Sequence, residues 1–211
     1  MVAQNITLSR PAGAALLRKL VQPLYDTNIL DGGVATQLLQ FFRIPIGGNM
    51  PIAAAPRKSL ADTNMSQAGQ LGTPQMFDLF GFNFEYFIVD FQDIDLVADL
   101  TRMYQQSVFT FFFGQNRPWL RLPLSQITQG VAPTGEVSTG DITADIFYGV
   151  LHQGPASVDE WYNFTIGKSP IRINTAEPFS AEVNWPNGAV TWTAADTRVR
   201  TLLKGNLYAA L

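Results

Sequence analysis

The residues of this chain best suited to chemistry are a single histidine and a few carboxylates. His152 is the only histidine among 211 residues, and it lies in a turn-like His-Gln-Gly-Pro stretch. Cysteine is absent, so a zinc site built from Cys and His ligands is excluded. No Gly-x-Ser-x-Gly segment supplies a serine nucleophile for a histidine base. We therefore interpret His152 as an ordinary loop residue.

Two carboxylates in predicted strands, Glu85 and Glu182, are the remaining candidates for acid–base catalysis. Jelly-roll glycosidases place such a pair on facing strands, around the bond that is cleaved. Glu85 follows Phe84 and so points to the opposite side of its strand, while Glu182 lies near Trp185. Strand alternation alone explains an outward-facing acid at each position. We therefore predict no enzyme activity and no catalytic, cofactor-binding or metal-binding residues.

A cluster of aspartates resembles a calcium site in composition but not in spacing. The twelve-residue calcium loop requires a central Gly and a terminal Glu, which the cluster lacks. Capping of a helix and complementarity to its dipole explain these residues more simply. The cluster consists of Asp90, Asp93, Asp95 and Asp99.

Two tryptophans leave a binding function open. Trp185 and Trp192 flank a predicted turn, which suits stacking on a sugar ring. A tryptophan buried in a sandwich core is the commoner arrangement. A carbohydrate-binding β-sandwich, fibre-like or lectin-like, is therefore the alternative function to be weighed below.

The composition indicates a protein that hides much of its surface. Charged residues make up only 15% of the chain, against about 25% in an ordinary soluble domain. Apolar residues reach 46%, with 15 Phe and 4 Trp, yet no apolar stretch has the roughly 20 residues needed to cross a bilayer. Basic residues before Leu60 would permit contact with phosphate of a genome or of membrane lipids. The sequence therefore favours burial of surface in an assembly over a membrane-spanning chain.

Period-two alternation predicts most of the elements that would position these residues. Phe82, Phe84 and Tyr86 share one face of a strand that is bent at Gly81. The segment from Ser107 to Phe113 carries large side chains on both faces, which indicates cover on both sides or by a neighbouring subunit. Further predicted strands are Trp119–Leu122, Trp161–Ile166 paired in a hairpin with Ile171–Ile173, Phe179–Trp185 and Arg198–Tyr208.

Helical spacing appears in three places, and a long loop in one. Residues 9–22 and 34–42 predict short helices within an amino-terminal arm of residues 1–74, and residues 93–105 predict a helix inserted in the body. Residues 128–141 predict an exposed loop. We therefore predict two parts, an arm over 1–74 and an all-β, single jelly-roll β-sandwich domain over 75–211.

Several segments resemble the jelly-roll coat proteins of tailless icosahedral bacteriophages. The resemblance covers the run from Thr63 to Leu71, the strand from Phe77 to Phe84, the stretch from Phe113 to Leu124 and the ending from Val199 to Tyr208. It implies a structural virion protein, made in the host cytoplasm, that assembles through its β-sandwich sides and amino-terminal arm with copies of itself and with other capsid proteins. It also implies possible contact of the amino-terminal region with the viral membrane or genome, and no small-molecule substrate or cofactor.

Overall fold

The computed structural model describes ten stretches of the chain, and within them the protein is an all-β antiparallel sandwich. The described residues are 17–51, 56–87, 99, 102–114, 117–127, 134–139, 147–152, 162–163, 170–193 and 196–210. The strands are β1 (Leu17–Val21), β2 (Leu24–Leu30), β3 (Ala35–Thr36), β4 (Leu38–Phe41), β5 (Met76–Phe87), β6 (Val108–Phe113), β7 (Arg117–Pro123), β8 (Thr134–Thr139), β9 (Phe147–His152), β10 (Tyr162–Asn163), β11 (Ile171–Ile173), β12 (Phe179–Asn184), β13 (Val190–Thr191) and β14 (Thr197–Ala210). The prediction of an all-β fold is confirmed.

The first sheet is built on the two longest strands, β5 and β14, which pair antiparallel along most of their length. β2 pairs with the first half of β14, and β1 pairs with its second half. β10 and β11 pair one after the other along the free side of β5. The first sheet is therefore four strands wide, although six strands build it.

The second sheet has the order β4-β12-β6-β7, and all its described pairings are antiparallel. Two small sheets stand apart from the sandwich sheets, one of β3 with β13 and one of β8 with β9. The described helical residues are 99 and 102–106, together with a short helix at Leu124–Ile127. No helix in these stretches combines the length and apolar character required to span a bilayer.

Aromatic side chains from both sheets meet in one core. On β5, alternate residues face inward, and Phe82 and Phe84 have no exposed surface. The centroid of the Phe82 ring lies 5.4 Å from that of the Phe109 ring and 5.0 Å from that of the Phe111 ring. Both of these partners are on β6. Phe84 meets the Phe41 ring of β4 edge-on at 6.0 Å. These cross-sheet ring pairs join the two layers, and each buried ring stabilises the fold by about 3 kcal/mol or more.

One glycine is required where β14 passes β5. The pairing register shifts between Lys204 and Gly205, opposite the bend that the sequence predicts at Gly81. A Cβ atom at Gly205 would lie 2.2 Å from Cζ of Phe77 and 2.3 Å from the carbonyl oxygen of Asp78. Only glycine therefore allows this close approach of the two long strands.

The two short helices predicted before residue 74 are wrong where the structure describes them. Residues 17–21 form β1 and residues 38–41 form β4, and in β4 buried and exposed side chains alternate. Pairing with β14 and β12 outweighs the local helical spacing. Strands β1, β2 and β4 thus belong to the sandwich, although they precede residue 74. An arm separate from the sandwich remains a prediction for residues 1–16, outside the described stretches.

Two further predictions around the second half of the chain are corrected. β10 and β11 both pair with β5 rather than with each other, so the hairpin centred on Gly167-Lys168 is wrong. Residues 134–139 form β8, so the predicted loop over 128–141 contains a strand. The inserted helix predicted over 93–105 is confirmed at its described residues, and the strands over Phe179–Trp185 and Arg198–Tyr208 are confirmed as β12 and β14.

Candidate functional site

The two candidate acids lie on opposite outer faces of the sandwich. Glu85 is on β5 of the first sheet, in the row that faces away from the core, and its carboxylate is 3.9 Å from the Arg200 guanidinium. Glu182 is on β12 of the second sheet and accepts a hydrogen bond of 2.9 Å from Gln40. Because two packed sheets are about 10 Å apart, the core separates these acids. They do not form a pair around one substrate.

The electrostatic setting of Glu85 is that of a half-buried surface acid. Burial raises the pKa of Glu85, and the neighbouring positive charge of Arg200 opposes this rise. Arg200 is itself held by hydrogen bonds to the Thr27 hydroxyl (3.0 Å) and the Ala61 carbonyl (2.6 Å). The raised pKa therefore has an explanation in local packing, without a catalytic role.

The other chemical candidates are also built into the scaffold. His152 is the last residue of β9, opposite Thr134. Asp99 is buried and accepts hydrogen bonds from the Thr193 amide (2.6 Å) and hydroxyl (2.8 Å). Asp90, Asp93 and Asp95 lie outside the described residues. Within the described stretches, no three potential metal ligands come together.

The tryptophans proposed for sugar stacking are inside the protein. Trp185 and Trp192 each expose only 2% of their surface. The Trp192 ring nitrogen donates a hydrogen bond of 3.2 Å to the Thr197 hydroxyl. Neither ring offers a face to a carbohydrate. The tryptophan with substantial exposure in the described residues is Trp119 on β7, at 43%.

The outward side of the second sheet is nearly free of charge, and we call it the neutral face. Its outward residues are Leu38, Gln40, Val108, Thr110, Phe112, Pro118, Arg121, Pro123, Ser180, Glu182 and Asn184, as the pairing register requires. Arg121 and Glu182 carry the only charges among them. Leu38 is 43% exposed, and Phe112 and Val108 are partly exposed. Trp119 lies beside this face, at the point where the β6–β7 register shifts.

The outward side of the first sheet is densely charged, and we call it the charged face. It carries Lys19, Arg172, Arg198, Arg200 and Lys204 together with Asp78 and Glu85. Arg172 binds Asp78 through two hydrogen bonds, of 2.8 and 3.0 Å, and lies over the Tyr208 ring at 5.8 Å. Burial pushes the pKa of Asp78 up, but the hydrogen bonds from Arg172 and Tyr208 outweigh it and lower the pKa.

Sequence reasoning predicted a strand with large side chains on both sides but did not identify which side faces away from the core. Phe109 and Phe111 have no exposed surface, whereas Phe112 points to the neutral face. The sequence alone does not give the strand order, which was needed for this prediction. That order places β6 between β12 and β7, and it brings the mostly uncharged outward residues of four strands onto one surface. The chain matches no protein-family model, no curated protein and no solved structure.

Proposed function

We propose that the chain is a single jelly roll that serves as a shell subunit of a bacteriophage capsid and assembles through its neutral face. The strand order supports the jelly roll. If the eight principal strands are numbered along the chain as β2, β4, β5, β6, β7, β10 with β11, β12 and β14, the first sheet has the order 1-8-3-6 and the second 2-7-4-5. This interleaving is that of two nested Greek keys.

The neutral face is the observation that carries the assembly function. Soluble monomers seldom leave large contiguous apolar patches uncovered, and such patches mark interaction sites. Partly exposed Leu38, Phe112 and Trp119 lie on or beside one sheet surface that has a single positive and a single negative residue. Depletion of charge together with aromatic enrichment is the composition of an interface centre. A second copy of the chain is the partner that a shell requires.

The edges of the second sheet favour contact through the face rather than through strand addition. Among the described strands β7 lies at the edge of the second sheet, and its Pro118 and Pro123 cannot donate a backbone hydrogen bond to a neighbour. The exposed Arg117 and Arg121 on the same strand also oppose pairing with another edge. We therefore expect copies to contact each other through the neutral face. The outer edge of β7 is not expected to pair with a strand of a neighbouring copy.

Both alternative functions depend on residues whose positions in the structure do not suit them. A carbohydrate-binding sandwich would use Trp185 and Trp192, which are buried. A glycosidase would use Glu85 and Glu182, which lie on separate outer faces. The proposed partners also include other capsid proteins, and contact of the amino-terminal region with membrane or genome remains part of the proposal. The proposed location is the virion.

Sedimentation velocity of the purified full chain over a range of concentrations, with electron microscopy of the fastest species, tests the proposed function. We expect closed rings or shells of defined size, because isologous or ring-forming contacts close. A species that remains monomeric at the highest attainable concentration contradicts assembly. A glycan array and a hydrolysis assay on the same sample test the two alternatives, for which we expect no signal.

A further inference from the structure

A lysine and an aspartate form a fully buried pair at one end of the sandwich. The Lys58 ammonium nitrogen is 2.6 Å from Oδ1 of Asp26, and the two side chains are 1% and 0% exposed. In the other ion pairs of the described residues the arginine keeps contact with solvent, as for Arg172 at 55% and Arg198 at 43%. Removing both members of a pair from water carries a large free-energy cost. The pair at Lys58 and Asp26 is therefore chemically distinct from the surface pairs.

Both members of this buried pair are held in position. The Lys58 backbone donates to the Gly48 carbonyl (2.9 Å) and accepts from the Gly47 amide (2.7 Å). Oδ2 of Asp26 accepts a hydrogen bond of 2.6 Å from the Phe42 amide. The Thr63 hydroxyl nearby donates a hydrogen bond of 3.1 Å to the Tyr25 carbonyl. An amine, a carboxyl and an amide donor thus meet in one buried site.

The site favours the uncharged form of the Asp26 carboxyl. Burial raises the pKa of Asp26, although the charge of Lys58 and its hydrogen bond oppose this. One proton transferred from Nζ to Oδ1, across the 2.6 Å hydrogen bond, converts the ion pair into a neutral amine and a carboxylic acid. These are the two reactants of amide formation, held at contact distance. Fixed proximity of two reactants lowers the entropic part of a reaction barrier.

We propose that Lys58 and Asp26 condense within the folded chain to an intramolecular amide. The lone pair of the neutral Lys58 nitrogen attacks Cγ of Asp26, and the negative charge that develops on Oδ2 is stabilised by the Phe42 N–H. A proton then passes from Nζ directly to the Oδ1 hydroxyl, across their 2.6 Å contact. The Cγ–Oδ1 bond then breaks and one water molecule leaves. No oxidant, reductant or cofactor is needed, because the only products are the Nζ–Cγ amide and water.

The amide would give a cysteine-free chain a covalent staple. It would close the loop between β2 and the segment around Lys58, which precedes β5. A cross-link restricts the unfolded chain and so raises the stability of the folded one. It also removes the cost of two buried charges, since an amide is neutral. This inference stands whether or not the chain assembles into a shell.

The mass of the denatured wild-type protein tests the proposal directly. We expect the folded protein, purified and incubated for a day at 37 °C, to be lighter than its sequence by one water molecule. Trypsin should then release residues 20–43 covalently joined to residues 58–102, with no cleavage after Lys58. A mass equal to that of the sequence, with cleavage after Lys58, overturns the amide and leaves an ion pair.

Variants separate the proposed bond from loss of water elsewhere. Lys58→Arg should have the full mass of its sequence, because the guanidinium is a poor nucleophile, whereas the exposed control Lys19→Arg should be lighter by one water. Loss of water from Lys58→Arg would overturn the proposal.

Discussion

The two outer faces of the sandwich differ in whether their side chains find partners within the same chain. On the charged face, Arg172 and Arg200 lie over tyrosine rings, at 5.8 and 5.1 Å, and bind acids or hydroxyls of the same chain. On the neutral face, Leu38 remains 43% exposed and Phe112 only partly buried. The arginines of the charged face are paired within the chain, although Val21 on its edge strand β1 is 87% exposed, whereas the neutral face carries few charges and leaves Leu38 partly in water. This difference is the basis for placing subunit contacts on the second sheet.

The largest expected effect on assembly comes from a charge introduced in the neutral face. Phe112→Glu would bury an unpaired carboxylate between copies, which costs about 3 kcal/mol and weakens association roughly a hundredfold. Sedimentation velocity measures the change in the association constant. The charge-reversing control Lys19→Glu, on the charged face, should leave association within about threefold of wild type. An equal loss of association in both variants would show that the neutral face is no more important for assembly than the charged face.

A smaller loss is expected when the exposed aromatic ring at the edge of the neutral face is removed. Trp119→Ala should weaken association by about 2 kcal/mol, because large aromatic side chains dominate interface energies. The ring is 43% exposed in the single chain, so the free energy of unfolding of the monomer should change by less than about 1 kcal/mol. Light scattering over a range of protein concentrations measures the loss of association. Urea unfolding measures the change in monomer stability. Unchanged association would exclude Trp119 from the contact.

The charged face should respond in monomer stability and not in assembly. Asp78→Asn removes the charged hydrogen bonds to Arg172 and should reduce the free energy of unfolding by about 1 kcal/mol at pH 7, since the arginine is half exposed. The pKa of Asp78 is lowered in the folded state. Its stabilisation is therefore present above the ordinary aspartate pKa, near 4, and disappears as pH falls through the lowered folded value.

Urea unfolding of wild type and Asp78→Asn from pH 7 to pH 2 measures this dependence. The two unfolding free energies should converge at the acid end. A constant difference over that range would show that Asp78 acts through packing and not through its charge. Association of Asp78→Asn should equal that of wild type.

Glu85→Gln should have the smallest effect, within about 0.5 kcal/mol of wild type at pH 7. Burial raises the pKa of Glu85, so the protonated acid fits the folded state better than the carboxylate does. Its favourable contribution is complete at low pH and is lost as pH rises through the raised folded pKa. The variant should thus equal or slightly exceed wild type in unfolding free energy at pH 7 and match it near pH 3. A clear loss at pH 7 would mean that its pairing with Arg200 outweighs desolvation.

The long strands were predictable from the sequence because their side chains obey strict alternation. Val199, Thr201 and Leu203 are expected on one face of a strand, and all three are fully buried on β14. The bend at Gly81 coincides with a register shift of the same sheet. For such strands the sequence pattern and the tertiary pairing agree, so local reasoning is sufficient.

The short strands and the neutral face were not predictable in the same way. β1 has five residues and gains its structure from pairing with β14, which lies almost two hundred residues later. β10 and β11 follow one edge of β5, a relation that local spacing does not encode. The neutral face consists of outward residues from four strands far apart in the sequence. Each looks ordinary alone, and only the strand order brings them together.

Covalent footprinting of side chains in assembled and dissociated protein tests the central claim most directly. Hydroxyl-radical labelling, read by peptide mass spectrometry, should fall severalfold on assembly at Phe112 and Trp119 while Tyr25 and Tyr208 of the charged face keep their labelling. Protection of the tyrosines with unchanged labelling of Phe112 and Trp119 would contradict the account, because the copies would then meet through the charged face.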